Sequence, residues 1–137
     1  MGLLSAVIAV VALAGCGEAK PQQVQVFPVK GTITFKGEPT VGATIGLHPK
    51  NAPVEAYPSP RASVGVDGSF KVSTYAGGDG APEGDYALTV IWYKPVKNGN
   101  DVTSGPNVIP VKYMKAETTE LEFKVTAGEN TIPPIQL

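Results

Sequence analysis

The sequence predicts an all-β protein, a seven-stranded Greek-key β-sandwich preceded by an N-terminal signal helix. Beyond residue 25, apolar and polar residues alternate in short runs, which is the period of a strand with one buried face. The 16 glycines and 13 prolines lie mostly between these runs, where they mark turns. After the first 15 residues no stretch has a helical period, and 137 residues suit one domain with its own core.

Residues 1–15 are predicted to be a signal peptide. Residues 2–15 are apolar or small, and as a helix rising about 1.5 Å per residue they would span roughly 21 Å. Because the hydrocarbon core of a bilayer is roughly 30 Å thick, a secretion signal is favoured over a stable membrane span. Residues 16–25 are interpreted as a tether, since they are mostly polar and lack an apolar period, and residues 26–137 as the folded domain.

The signal ends in Leu13-Ala14-Gly15-Cys16, which resembles the lipobox of bacterial lipoproteins. The resemblance implies cleavage between Gly15 and Cys16, a thioether to diacylglycerol on Cys16, and a further acyl chain such as palmitate on the new amine. Two or three acyl chains anchor a protein to a membrane almost permanently. The expected partner is therefore a membrane of the bacterial cell envelope, on its periplasmic or outer-membrane side. The alternative is a chance cysteine at the end of an ordinary signal peptide or of a buried helix.

Two strands are predicted in the first third of the domain, with apolar side chains on one face of each. These are Val29, Gly31, Ile33 and Phe35 and, after a turn at residues 36–39, Ala43, Ile45 and Leu47. Pro49 closes the second strand because it cannot extend the ladder. Residues 50–60 contain three prolines and no strand period, which predicts a crossing loop.

The central stretch, residues 61–92, predicts a β-hairpin and a third strand. Ala62, Val64 and Val66 precede a turn at Asp67-Gly68, and Phe70 and Val72 follow it. After a glycine-rich loop, Tyr86, Leu88, Val90 and Trp92 share one face. Tyr86 follows Gly84 closely, so we expect its ring in the core and its hydroxyl on a nearby backbone group, as in a tyrosine corner.

The last third predicts two more strands after an irregular segment, residues 94–118. Leu121, Phe123 and Val125 alternate with charged residues, and a turn then leads into residues 131–137. Pro133 and Pro134 place the last strand at a sheet edge or split it at a bulge, because proline donates no ladder hydrogen bond.

Several of these segments resemble, in order, the motifs of carboxypeptidase regulatory-like domains, which are transthyretin-like, or prealbumin-like, sandwiches. The segments are VKGTI at 29–33, GEP at 37–39, VGATI at 41–45, VDGSF at 66–70 and EGDYALTV at 83–90. The resemblance extends from Phe27 to Leu137 and includes small bacterial lipoproteins with one such domain. It implies a non-catalytic domain at the cell envelope. Hydrolases of 5-hydroxyisourate share the fold, but they use several histidines and a characteristic C-terminal tail.

Charge and composition exclude several function classes. Eleven basic and twelve acidic residues leave a net charge of −1 with no run of either sign, so neither a nucleic-acid partner nor a polybasic membrane patch is expected. With His48 as the single histidine and Cys16 as the single cysteine, we expect no enzyme activity, no cofactor and no His/Cys metal site. His48 is interpreted as a structural residue.

Two binding functions remain. The leading one is a lipid-anchored protein-interaction or structural module with an envelope protein partner, for which residues 130–137 offer an edge strand. The alternative is a carbohydrate-binding module that recognises a polysaccharide through aromatic residues predicted in or beside loops. The candidate residues are Tyr75, Trp92, Tyr93 and Tyr113, with Tyr57 as a further aromatic. Acidic and amide side chains at 79–85 and 98–101 could attract calcium, but their spacing favours solvated turns.

Overall fold

A computed structural model describes residues 23–53 and 55–137, together with Gly2 and Gly15. This part of the chain is all-β, with eleven strands and a short 3-10 helix, and the predicted signal helix lies outside it. The strands are β1 (Val29–Phe35), β2 (Glu38–Pro39), β3 (Thr44–Pro49), β4 (Arg61–Ser63), β5 (Ser69–Lys71), β6 (Gly84–Ile91), β7 (Tyr93–Asn98), β8 (Asp101–Asn107), β9 (Glu122–Val125), β10 (Asn130–Thr131) and β11 (Ile135–Gln136), and the 3-10 helix is Val111–Met114.

The first sheet is built around β1. This strand pairs antiparallel with β5 and β2 and in parallel with β10 and β11. The parallel ladder begins with Val29 opposite Asn130, so the C-terminal residues run alongside β1. Pro133 and Pro134 separate β10 from β11, because they cannot donate to the ladder. Of the two expected effects of these prolines, the split is observed, because the last predicted strand forms two short strands.

The second sheet has the strand order β4-β3-β6-β9, and all of its pairs are antiparallel. Its longest pairing joins β3 and β6, from Thr44 opposite Ile91 to Pro49 opposite Tyr86. The strand count exceeds the predicted seven for two reasons. The last predicted strand is split, and β2, β7 and β8 were not predicted.

The predicted hairpin over residues 62–72 is wrong, because its two arms belong to different sheets. β4 pairs with β3, whereas β5 pairs with β1, and an isolated bridge between Arg61 and Ser73 links the arms. Val66 was expected to face inward but is 85% exposed. The turn already begins at Gly65, whose carbonyl accepts the N–H of Gly68, so Val66 lies within the turn.

Alternate residues of the two sheets meet in one hydrophobic core, which makes the fold β-sandwich-like. The buried residues that the alternation had assigned to the inner face are Val29, Ile33, Ala43, Ile45, Leu47, Ala62, Val64, Phe70, Val72, Tyr86, Leu88, Val90, Trp92 and Val125. Gly31 makes room for one of them. A Cβ on Gly31 would lie 2.6 Å from the Cζ atom of Phe70.

A buried asparagine fixes the C-terminal segment against the start of β1. The Oδ1 atom of Asn130 accepts the N–H of Thr126 at 2.9 Å, and its Nδ2 donates to the carbonyls of Thr126 and Gly128. The backbone N–H of Asn130 donates to Pro28 O at 2.9 Å. The turn at 126–130 is therefore tied to the residue that precedes β1.

Tyr86 has the environment that the sequence predicted. Its ring is fully buried, and its hydroxyl donates to the carbonyl of Pro82 at 2.6 Å and lies 3.0 Å from the Tyr57 hydroxyl. Burial raises the pKa of the Tyr86 hydroxyl, and the hydrogen bond with Tyr57 raises it further. The folded state therefore favours the protonated phenol, and this stabilisation is lost as the pH rises past the ordinary tyrosine pKa of 10.0.

We expect Tyr86→Phe to lower the free energy of unfolding at neutral pH by about 1–2 kcal/mol, since Pro82 O loses its donor. Wild type should then lose stability more steeply than this variant between about pH 9 and 12. Urea unfolding across that range measures both effects. Tyr57→Phe is the control, because it leaves the bond to Pro82 intact, and equal pH slopes for wild type and Tyr86→Phe would contradict the assignment.

Candidate interaction site

Strands β7 and β8 form a hairpin that pairs with no other strand of the described chain. Every residue of β7 is exposed, and β8 is exposed along most of its length. Strands of this length extend for about 20 Å. The hairpin therefore projects from the core, although an isolated two-stranded hairpin is only marginally stable in water.

The hairpin turns through two residues, Gly99 and Asn100, because Asn98 pairs with Asp101. Gly99 has φ +63°, in the left-handed region that two-residue hairpin turns require and that glycine adopts without strain. The tip is thus a tight turn and not a slack connection.

The position of Pro95 shows which backbone groups of the hairpin point outward. Proline has no N–H, so Pro95 and Ser104 form a pair without hydrogen bonds between them. Pairs alternate in kind along an antiparallel ladder, so Lys97 and Val102, two positions further, are of the same kind. The N–H and C=O groups of Val102 and Ser104 therefore point outward. The outer edge of β8 offers donors and acceptors, whereas that of β7 lacks a donor at Pro95.

The hairpin also exposes apolar side chains on both of its faces. Val102 is 67% exposed on the face that it shares with Pro95, and Val96 is 44% exposed on the other face. Tyr93, at the base of β7, is 54% exposed. Neither face of the hairpin is covered by the core, so these side chains are available for contact.

The base of the hairpin is fixed to the domain through Trp92. The indole N–H donates to Val41 O at 2.9 Å, and the ring packs edge-on against Phe35 with centroids 6.4 Å apart. Lys94 Nζ lies 5.4 Å from the Trp92 ring centroid and 3.0 Å from Glu38 Oε2. An exposed ion pair contributes little alone, so the buried indole and its hydrogen bond provide most of the attachment.

Asn107 closes the base from the β8 side. Its Oδ1 accepts the N–H of Trp92 at 3.0 Å and that of Ile109 at 3.3 Å, while Nδ2 donates to Ile109 O at 2.9 Å and contacts Met114 Sδ at 3.1 Å. Both strands are thus held where they leave the core. Beyond this base, the hairpin's own ladder is the only strand pairing that the described residues give to the arm.

The structure does not bring the four candidate aromatic residues together on one exposed face. Trp92 is only 3% exposed, so the expectation of an accessible stacking ring at this position does not hold. Tyr75 is half-buried, and its hydroxyl accepts the N–H of Val24 near the start of the domain. Tyr113 is half-buried beneath Lys112, whereas Tyr93 is largely exposed.

Tyr57 and His48 have structural hydrogen bonds. Tyr57 is half-buried, and its hydroxyl lies against that of Tyr86. His48 Nε2 lies 2.9 Å from Thr89 Oγ1 across Gly46, where a Cβ would come within 2.6 Å of the same oxygen. The absence of a side chain at Gly46 allows this bond between neighbouring strands.

The acidic side chain of Asp79 organises its own loop. It accepts backbone N–H groups from Thr74 at 2.7 Å and from Tyr75 and Ala76 at 3.1 Å. Burial raises the pKa of this carboxyl, but the three N–H donors outweigh burial and hold the pKa below its ordinary value. Among the described residues, no group of three histidine, cysteine, aspartate or glutamate side chains is placed to hold a metal ion.

The predicted lipidation at Cys16 lies outside the described residues, as does most of the predicted signal peptide and of the predicted tether. Gly15, on the other side of the predicted cleavage point, is described and exposed. No helix in the described ranges combines the length and the apolar character needed to cross a membrane.

No protein-family model and no curated protein sequence matches this chain. Two solved structures are similar in fold. A candidate carbohydrate-binding protein from Pseudomonas aeruginosa is 12% identical with a TM-score of 0.46, over 85% of this chain and 91% of that protein. A 9R-lipoxygenase from Cyanothece is 13% identical with a TM-score of 0.43, and this chain matches 18% of its length. Neither likeness transfers a ligand or a reaction.

The hairpin is the element that the sequence interpretation missed. Pro95, Gly105 and Pro106 interrupt the alternation, which made residues 94–118 look irregular. A turn signal was nevertheless present in the sequence, because Gly99-Asn100 has glycine at the first of two central residues, as two-residue hairpin turns favour.

We expect Asn107→Ala to loosen the hairpin base while the core stays folded. Without the Oδ1 acceptor, the backbone N–H of Trp92 loses its hydrogen-bond partner. The hydrogen exchange of this backbone N–H should therefore accelerate about tenfold or more. Exchange measured by NMR at Trp92 and Leu88 separates this local opening from global unfolding. Asn100→Ala, at the exposed tip, is the matched control, and unchanged exchange at Trp92 in Asn107→Ala would contradict the role of Asn107.

Proposed function

We propose that this chain is a non-catalytic protein of the bacterial cell envelope whose hairpin binds an extended segment of a partner protein. The observation that carries the proposal is the open edge of β8 on a projecting hairpin. Backbone groups of Val102 and Ser104 have no strand partner in the described chain, and an added strand would supply one. Binding of this kind needs no reactive side chain.

The energetics favour an extended peptide as the occupant. Each backbone hydrogen bond that a partner strand forms contributes about 0.5–1.5 kcal/mol net, so several are needed for stable binding. Covering the exposed side chain of Val102 adds about 1–2 kcal/mol. Because Trp92 and Asn107 already fix the base of the hairpin, the hairpin loses less conformational entropy when a partner binds.

The proposed location depends on the lipobox resemblance. Cys16 would carry two or three acyl chains, and residues 16–25 would tether the domain at no more than about 35 Å from the membrane surface. The connectivity is proposed to be that of a Greek-key, transthyretin-like domain of the carboxypeptidase regulatory-like family. Membrane anchoring through the lipid and protein binding through the hairpin would then occupy separate ends of the chain.

The alternative is a carbohydrate-binding module that uses loop aromatics. The exposed ring of Tyr93 favours it, because one accessible aromatic face can stack on a sugar. The burial of Trp92 and the position of Tyr75 near Val24 weigh against a multi-residue platform. We therefore prefer the protein-interaction function.

Ser104→Pro tests the open edge directly. The substitution removes the outward N–H of β8 without removing a bond inside the hairpin, so recovery of the partner from native membranes should fall at least about tenfold. Lys97→Pro, on the outer edge of β7, is the matched control and should retain the partner. Loss of binding in both variants, or in neither, would contradict docking at β8.

A photo-crosslinking residue at Val102 provides the second arm of this experiment. It should capture one discrete protein in membranes, whereas the same residue at Val66, which is exposed in a turn outside the hairpin, should not. Capture of the same protein from both positions would indicate surface proximity alone and would count against the proposal.

The alternative makes a separate prediction. If sugar stacking on Tyr93 is the function, Tyr93→Ala should abolish retardation of the full chain in neutral polysaccharide gels, while Tyr113→Phe should have no effect. We expect no retardation of wild type under these conditions. Retardation that depends on Tyr93 would overturn the preference for a protein partner.

A further inference from the structure

Three cations from separate parts of the sequence lie side by side on the domain. Lys30 of β1 is directly opposite Lys71 of β5. Arg61 pairs with Ser73, two residues beyond Lys71, so Arg61 is the diagonal neighbour of Lys71. All three are exposed, and we call this group the cationic face.

The positive charges of the cationic face repel one another, and no ion pair among the described residues neutralises them. Like charges directly opposite each other on paired strands are destabilising. Within the described residues, Lys30, Lys71 and Arg61 form no ion pair, whereas Lys50, Lys94 and Lys112 each pair with a glutamate. Glu129 lines a depression beside Lys30 and Lys71 but forms no ion pair with either.

Besides the depression that Glu129 lines, two larger depressions border Lys71. The first, of about 450 Å³, borders both lysines and is lined by the hydroxyl side chains of Thr32, Ser69 and Thr131 and by Pro134. It lies on the outer face of the first sheet, above the buried ring of Phe70.

The second depression, of about 670 Å³, lies between Lys71 and Arg61. Its lining adds the hydroxyl groups of Thr44, Ser63 and Ser73. Cations and hydroxyl groups thus line both depressions, and Lys71 borders each of them.

We propose that the cationic face binds an acidic polysaccharide, a chain of sugars that carries carboxylates. Carboxylates would be held by Lys30, Lys71 and Arg61 and would relieve their repulsion, while sugar hydroxyls exchange hydrogen bonds with the serine and threonine side chains. No exposed aromatic ring lines either depression in the described chain, so base stacking of a single-stranded nucleic acid has no platform here. The proposal does not depend on the hairpin, which uses other residues.

Affinity electrophoresis of the full chain in detergent, with polygalacturonate in the gel, tests this site. Wild type should be retarded at about 50 mM salt and less so as salt screens the charges. Lys71→Thr, which removes the central cation, should weaken binding about tenfold. Lys97→Thr, also an exposed strand lysine, should change it less than twofold, and Glu129→Gln should strengthen it.

Thermal unfolding provides an independent test, because Lys71→Thr should raise the melting temperature of the free protein but abolish the increase that the ligand causes. Without ligand at low salt, Lys71→Thr should raise the melting temperature, because it removes the repulsion with Lys30. Polygalacturonate should raise the melting temperature of wild type but not of Lys71→Thr.

Equal retardation of wild type and Lys71→Thr in the polygalacturonate gel would overturn the proposal. So would equal affinity of wild type for polygalacturonate, dextran sulfate and single-stranded DNA, since that result indicates general adsorption of polyanions.

Discussion

The parallel pairing of β1 with the C-terminal residues is the constraint on which the rest of the structure depends. It joins β1 to the C-terminal strands across a hundred residues of sequence, and Asn130 secures it by donating to the carbonyl of Pro28, the residue before β1. β1 then runs from Val29, beside the turn at 126–130, to Phe35, which packs against Trp92. The hairpin base consequently lies near the end of β1 that is opposite this turn.

Much of the core could be predicted from sequence, because burial on one face imposes a period of two on each strand. Ile45, Leu88 and Val125 were assigned to the core on that basis, and all are buried. Val66 fits the same alternation but lies in a turn, since local hydrogen bonds at Gly65 end the strand first. Alternation predicts which face a residue would occupy, but not where pairing stops.

The candidate site was harder to predict, because its properties arise from pairing and register. Trp92 and Tyr93 are adjacent in sequence, yet one is buried and the other exposed, since neighbouring side chains in an extended chain point to opposite sides. The edge of β8 is open because the hairpin pairs with no other strand of the described chain, and the missing N–H of Pro95 identifies Val102 and Ser104 as the outward-pointing residues. Lys30, Lys71 and Arg61 likewise show no charge run in the sequence, and only the strand register brings them together.

Peptide docking requires that the outer edge of β8 is unpaired and available to a partner strand. Amide hydrogen exchange along β8 of the free protein measures this. We expect a protected N–H at Thr103, which faces β7, between rapidly exchanging N–H groups at Val102 and Ser104. Protection at Val102 and Ser104 together with rapid exchange at Thr103, or uniform protection of all three, would contradict it.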